Sequence, residues 1–254
     1  CRRVASSSWS FHEGCRPKVQ ANHSQDERAS RQGRPMLRED LSRLQDNLPR
    51  HPNVMGKHRY FNAAVLIPLV EQNGELHFLF QKRAAHIRQG GEISFPGGEF
   101  EPDNDQTCRH AAIRETVEEL GVSPELIHIQ GQLDTFVSPR GITVDSFVAT
   151  LEITSLDDLD PDTNEVERLF LLPVSWFETH PPKIYDLESE IKPVSRGTDG
   201  VSVHALPVDE LGLPSRYKHP WQGMSHRVFV YDTPEETVWG ITAELVQEVI
   251  RILV

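Results

Sequence analysis

Cysteine is scarce: only Cys1, Cys15 and Cys108 occur in 254 residues. The odd count and the absence of a CxxC pair argue against a disulfide framework and against a thiolate zinc site. Long apolar runs are missing too. No stretch reaches the roughly 18 apolar residues of a membrane-spanning helix, so no membrane partner is expected. Positive charge is in deficit, with 26 Lys and Arg against 38 Asp and Glu and a formal net charge of −12. That sign is wrong for a protein that binds nucleic acid mainly through phosphates, and no nucleic-acid partner is expected. An anionic substrate would need local relief from this field, by metal ions or by clustered arginines. What is present, 37% hydrophobic and 25% charged residues, is enough for a globular core.

Charge is also unevenly placed. Residues 1–35 carry seven Arg and Lys against three acids, a net of +4, and the remainder carries −16. This first segment is rich in Ser, Arg, Gln and Asn and has no apolar period, the composition of a flexible arm. Its Arg and Ser content is that of a transit peptide, whereas Glu13, Asp26 and Glu27 and the lack of an amphipathic stripe argue otherwise. The expected compartment is the cytoplasm, with organellar targeting by the arm left open. From Met36 the pattern changes, and Leu37, Leu41, Leu44 and Leu48 recur at helical spacing until Pro49. The folded domain is therefore expected over residues 36–254.

Two antiparallel strand pairs are predicted. In the first, apolar Ala63 to Val70 and Leu76 to Phe80 flank Asn73-Gly74, a strong hairpin signal. In the second, IHIQGQLDTFVSP and ITVDSFVATLEI flank Arg140-Gly141. Further on, residues 178–227 are punctuated by Pro181, Pro182, Pro193, Pro207, Pro214 and Pro220, with Tyr217 and Trp221 nearby. An insertion of this kind serves as an active-site lid or binding loop, or is a plain connection.

Between the strand pairs lies GEISFPGGEFEPDNDQTCRHAAIRETVEELGV, residues 91–122, whose second half has helical period. At 100° per residue, Thr116, Val117 and Leu120 fall within about 60° of Ile113, and Glu115, Glu118 and Glu119 fall on the opposite side. Gly121 is placed to end the helix. Such carboxylates form a solvated face in many helices. Here three of them repel one another in the C-terminal half, where the helix dipole also disfavours negative charge. A hard Mg²⁺ or Mn²⁺ would relieve that repulsion and could bridge the carboxylates to phosphates of a substrate. The preceding Pro96-Gly97-Gly98 turn allows close backbone approach to such a ligand.

Gly98 followed by Arg114-Glu115-Thr116-Val117-Glu118-Glu119-Leu120-Gly121-Val122 resembles the Nudix box, G-x5-E-x7-R-E-U-x-E-E-x-G-U with U aliphatic. Thr116 departs from the first aliphatic position, 15 residues lie between Gly98 and Arg114 where the pattern has 13, and Gln106 stands eight residues before Arg114. The glutamate of the first half then has Glu101, Asp103 or Asp105 as replacement. Upstream, LFQKRAAHIRQGGEISFPGG (79–98) is similar to the signature of coenzyme A pyrophosphatases through Arg83-Ala84, Ile87-Arg88, Gly91-Glu92 and Phe95-Pro96-Gly97-Gly98. The signature's histidine is absent and the interval from Arg88 to Gly91 is one residue short.

The resemblance implies the Nudix fold, an α/β/α sandwich with a mixed β-sheet, and hydrolysis of a nucleoside diphosphate-linked compound with Mg²⁺ or Mn²⁺. The substrate implied is coenzyme A or an acyl form; the alternatives are a sugar nucleotide, a dinucleotide, or a nucleotide-sensing module without turnover. It implies catalytic roles for Arg114, Glu115, Glu118 and Glu119, with Glu115, Glu118, Glu119 and the Gly98 carbonyl at the metal. Arg83, Arg88, Gly97 and Gly98 are the implied substrate contacts. Asp105, Glu165 and Glu167 are accessory acids, the last two as candidates for a general base. The expected partner is a small coenzyme A-like molecule, and a homodimer is left open. His77, His110 and Phe95 read as packing or surface residues.

Overall fold

The computed structural model describes residues 38, 40–49, 53–196 and 202–253. The arm expected over residues 1–35 lies outside them, as does Leu37. Two compact units are distinguished, 1–57 and 58–254. The second contains every candidate site residue. In the first unit, helix α1 spans Asp40–Asn47 and stops before Pro49, with Leu41 and Leu48 exposed.

In the second unit, strands β1 (Phe61–Gln72) and β2 (Glu75–Arg83) form the expected hairpin. Its turn residues Asn73 and Gly74 have φ of 55° and 81°, the pair of positive values that a two-residue turn of matching twist requires. Strand β3 (Ile93–Ser94) pairs with β2, and β4 (Gly97–Glu99) pairs with the first half of β1. Helix α2 (Cys108–Leu120) follows. Strands β5 (Ile127–Gln132) and β6 (Phe136–Ser138) then pair antiparallel with β7 (Ile142–Leu151), the second expected pair. β7 runs parallel to β1 from Phe61↔Ile142 to Val70↔Leu151, which makes the sheet mixed. β8 (Val166–Pro173) extends it beside β2, and the short helix α3 (Val174–Thr179) comes next.

Side chains alternate across a strand, so β1 and β2 feed a core on each face of the sheet. On one face Ala64, Leu66, Val70 and Leu79 pack with Ala111, Ala112 and Leu120 of α2. On the other, Ile67, Leu69, Phe78 and Phe80 pack with Phe170, Phe177, Tyr231 and Val246. Phe95 belongs to this second core, stacked on Phe80 at 4.9 Å between ring centroids. The last helix, α4 (Gly240–Leu253), covers the same face. The architecture is thus the expected α/β/α sandwich.

The described residues within 178–227 form more strand than their prolines suggest. β9 (Lys183–Leu187) pairs with β14 (His226–Asp232), β10 (Glu190–Ile191) with β13 (Trp221–Gln222), and β11 (Val194–Arg196) with β12 (Ser202–His204). The three pairs are nested in chain order but belong to three separate small sheets, in one of which β14 also pairs with β15 (Thr237–Trp239). β10 to β13 have only two or three residues each, too few to show a period of two, and β9 and β10 pair with partners far along the chain.

Candidate active site

Helix α2 is capped at both ends. Thr107 accepts the His110 N–H at 3.1 Å, and Gly121, with φ 65°, donates to the Val117 carbonyl at 3.0 Å. Its buried stripe, however, is Ala111, Ala112, Glu115, Thr116, Glu119 and Leu120. The wheel expectation of three glutamates opposite the core is corrected accordingly: Glu115 and Glu119, one turn apart, point inward, and Glu118 is exposed. Thr116 fits where an aliphatic residue was expected because its hydroxyl donates to the Ala112 carbonyl at 2.7 Å. An apolar wheel misjudges Glu119 because its donors come from two strands, and Glu115 because the adjacent Arg114 donates to its carboxylate.

Those donors are specific. Glu119 Oε2 accepts from the Gly97 N–H at 3.0 Å and from Gln81 Nε2 at 2.9 Å. Its other oxygen, Oε1, lies 3.9 Å from Arg83 Nη1. Residues 79, 81 and 83 of β2 alternate toward α2, which is why Leu79 packs there while Gln81 and Arg83 reach Glu119. Burial pushes the Glu119 carboxyl up to about 8, against the pull of Gln81, Arg83 and Gly97. Burial likewise pushes Glu115 up to about 6, opposed by Arg114 and reinforced by the charges of Glu118 and Glu165. Gly98 lies against Glu115, since a Cβ there would overlap the carboxylate.

Arg114 ties the remaining acids together. Its Nε and Nη2 donate to the two oxygens of Asp105, each at 3.0 Å, and Nη1 donates to Glu115 at 2.8 Å and to Glu118 at 3.1 Å. Asp105 is fully buried at its side chain and also accepts the Glu101 N–H at 3.0 Å. Burial by itself would raise the Asp105 carboxyl, but the Arg114 fork and the Glu101 N–H hold it below the usual range. Of the three candidates to replace the glutamate missing at Gln106, Asp105 is the one that pairs with Arg114. Glu101 instead accepts from Asn104, and Asp103 is exposed.

Among the other expected residues, Arg83 Nε also donates to the Arg88 carbonyl at 3.3 Å. Burial, with the charges of Arg140 and Arg83, holds the Arg88 guanidinium below its usual range. Arg140, in the turn between β6 and β7, was not foreseen, and nothing in a turn sequence singles it out. Glu165 is half-buried and close enough to Glu115 for its charge to act there. Glu167 is engaged elsewhere, 3.4 Å from Lys82 Nζ, and no contact among the described residues joins it to Glu115 or Glu119. Gln81 was also missed, although its place two residues before Arg83 puts it on the same strand face.

Among the described residues no group of three or more His, Cys, Asp or Glu side chains stands ready to enclose a metal. The donor set nevertheless fits a hard dication. Mg²⁺ commonly uses one or two carboxylates, completing its shell with water and substrate phosphate. Glu115 and Glu119 supply such a pair, buried at the cost that their raised protonation equilibria record, and a cation would offset that cost.

The site is thus a glycine turn set against an Arg-Glu-rich helix on one face of a mixed sheet. The NUDIX domain family model matches residues 60–196, and the chain belongs to the Nudix hydrolase family, pyrophosphohydrolases of nucleoside diphosphate-linked compounds that generally use divalent cations. An uncharacterized Nudix hydrolase, NudL of Yersinia pestis (strain Pestoides F), is 28% identical over 217 residues, covering 83% of this chain and 92% of that protein. NudL of Yersinia pseudotuberculosis (serotype O:1b, strain IP 31758) matches to the same extent. Among solved structures, a MutT/nudix family protein from Enterococcus faecalis is 17% identical, covering 91% of this chain and 74% of its own, with a TM-score of 0.44.

Proposed function

We propose that the protein hydrolyses the diphosphate of coenzyme A or an acyl-coenzyme A, giving adenosine 3′,5′-bisphosphate and 4′-phosphopantetheine or its acyl derivative. The observation that carries this reading is the junction of Arg83 with Glu119. It joins the segment that resembles the coenzyme A pyrophosphatase signature to the carboxylate pair of the box helix. Glu115 and Glu119 are the residues that would hold Mg²⁺ or Mn²⁺, with the Gly98 carbonyl as a further donor and Glu118 at the exposed margin. A bound dication supplies Lewis-acid polarisation of the phosphoryl oxygens and lowers the pKa of water.

The chain's own side chains do the rest. Arg114, locked by Asp105, holds the Glu115 carboxylate in place. Glu115 or its neighbour Glu165 takes the proton of the attacking water. Arg83 and Arg88 offer guanidinium forks to phosphate, including the 3′-phosphate that sets coenzyme A apart from most nucleoside diphosphates. The short interval between Arg88 and Gly91 and the absent histidine favour a second reading, a sugar nucleotide or dinucleotide as substrate.

Incubation with coenzyme A, its 3′-dephospho form, sugar nucleotides and dinucleotides in Mg²⁺ or Mn²⁺, with products identified by mass, separates the two. Coenzyme A should be preferred. Removing the 3′-phosphate and truncating Arg83 or Arg88 should cost similar and non-additive amounts of kcat/KM. Equal kcat/KM for coenzyme A and its 3′-dephospho form would select the second reading.

A further inference from the structure

Gln81 is fully buried in a strand whose neighbouring inward residue, Leu79, belongs to the apolar core. An amide at such a place is expensive. Its Nε2 has Glu119 Oε2 at 2.9 Å and Ser94 Oγ at 3.3 Å, but its Oε1 has no hydrogen-bond partner among the described residues. A buried amide with an unmet acceptor costs stability that an apolar residue of the same volume would not. Packing therefore does not account for Gln81.

Its geometry does. The two donors on Glu119, Gln81 Nε2 and the Gly97 N–H, converge on one oxygen, Oε2. They come from different strands, β2 and β4, so together they fix both the rotation and the tilt of the carboxylate. The second oxygen, Oε1, takes no such donor and has Arg83 only at 3.9 Å. One oxygen is thus tethered to the sheet, and the other is left toward the side from which Arg83 approaches.

From this juxtaposition we infer that Gln81 is a positioning residue for the cation site, holding Glu119 by Oε2 so that Oε1 is the atom presented to Mg²⁺ or Mn²⁺. The inference rests on the reading of Glu119 as a metal ligand and is independent of which diphosphate is cleaved. Partners that orient a ligating side chain typically contribute 10–100-fold in metal affinity or activity. Gln81 contributes through direction, since its amide carries no net charge.

The test is direct Mn²⁺ binding without substrate, followed by electron paramagnetic resonance of the free ion, on the full chain. Gln81→Met keeps the side-chain volume and removes the donor. It should melt no lower than the parent protein, bind Mn²⁺ about 10–100-fold more weakly, and show a raised half-saturating Mn²⁺ concentration in turnover. KM for the diphosphate at saturating metal should stay unchanged. Glu119→Gln run in parallel should also weaken Mn²⁺ binding, and the double variant should be no worse than Glu119→Gln alone. Should Gln81→Met perturb folding, Gln81→Leu provides a second apolar test with a different shape. Parental Mn²⁺ affinity in a folded Gln81→Met or Gln81→Leu protein, beside weakened affinity in Glu119→Gln, would overturn the positioning role alone. Parental affinity in Glu119→Gln would overturn the metal reading beneath it as well.

Discussion

Replacing Glu119 by Gln should move stability and activity in opposite directions. The carboxyl is 3% exposed, and burial displaces it from an ordinary 4.5 to about 8. The unfolded chain ionises this group above about 4.5, whereas the metal-free fold keeps it protonated until about 8. Stability from this group is therefore fully present below pH 4.5 and is lost as pH rises through about 8. By pH 7 the loss amounts to about 3 kcal/mol. Gln cannot ionise, and its amide oxygen can still accept from Gln81 and Gly97. The metal-free variant should then melt roughly 6–12 °C higher at pH 7, at about 2–4 °C per kcal/mol for a unit of this size. Its turnover should fall by roughly 10²–10⁴-fold, the range for loss of a catalytic group. Differential scanning calorimetry in EDTA at pH 5, 7 and 8.5, repeated with Mn²⁺, provides the assay. The parent protein should lose more stability than the variant as pH rises and regain more of it with Mn²⁺, the slope left in the variant coming from Glu115. Parallel pH slopes in the two proteins, with equal stabilisation by Mn²⁺, would refute the reasoning.

Two further substitutions test the supports of the site. Asp105→Asn breaks a buried fork to Arg114 and should cost about 3–5 kcal/mol in urea titrations at pH 7. Because the folded Asp105 carboxyl is held low, its contribution exists above the ordinary unfolded value and disappears as pH falls through the folded one, so the difference from the parent should shrink in acid. Gly98→Ala places a Cβ into the Glu115 carboxylate. A displacement of about 1 Å at a reacting group can cost roughly 10²-fold, so turnover should drop by that order while far-UV circular dichroism stays that of the parent.

The chain by itself determined the local elements that depend on near neighbours. Asn73-Gly74 marks the β1–β2 turn because few residues tolerate two successive positive φ values. Gly121 marks the end of α2 for the same steric reason, and the spacing Arg114-Glu115 to Glu118-Glu119 marks the candidate site. The nearly unbroken apolar run of β1 suits the two-faced burial that a sheet between helices requires. Tertiary structure alone decided which carboxylates work together. Helical period turns all three glutamates outward, whereas Gly97 and Gln81 arrive from two strands as donors to Glu119, and Arg114, locked by Asp105, donates to the inward Glu115 while Glu118 stays out. The replacement for the missing box glutamate was equally undecidable from spacing, since Glu101, Asp103 and Asp105 share one loop. The path of that loop puts Asp105, and neither of the others, against the Arg114 fork. Strands β9 and β10 are a third such case, because they pair with β14 and β13 far along the chain. Short-range sterics are written in adjacent residues, whereas the dielectric and the hydrogen-bond donors around a buried charge are set by whichever distant segments the fold brings to it.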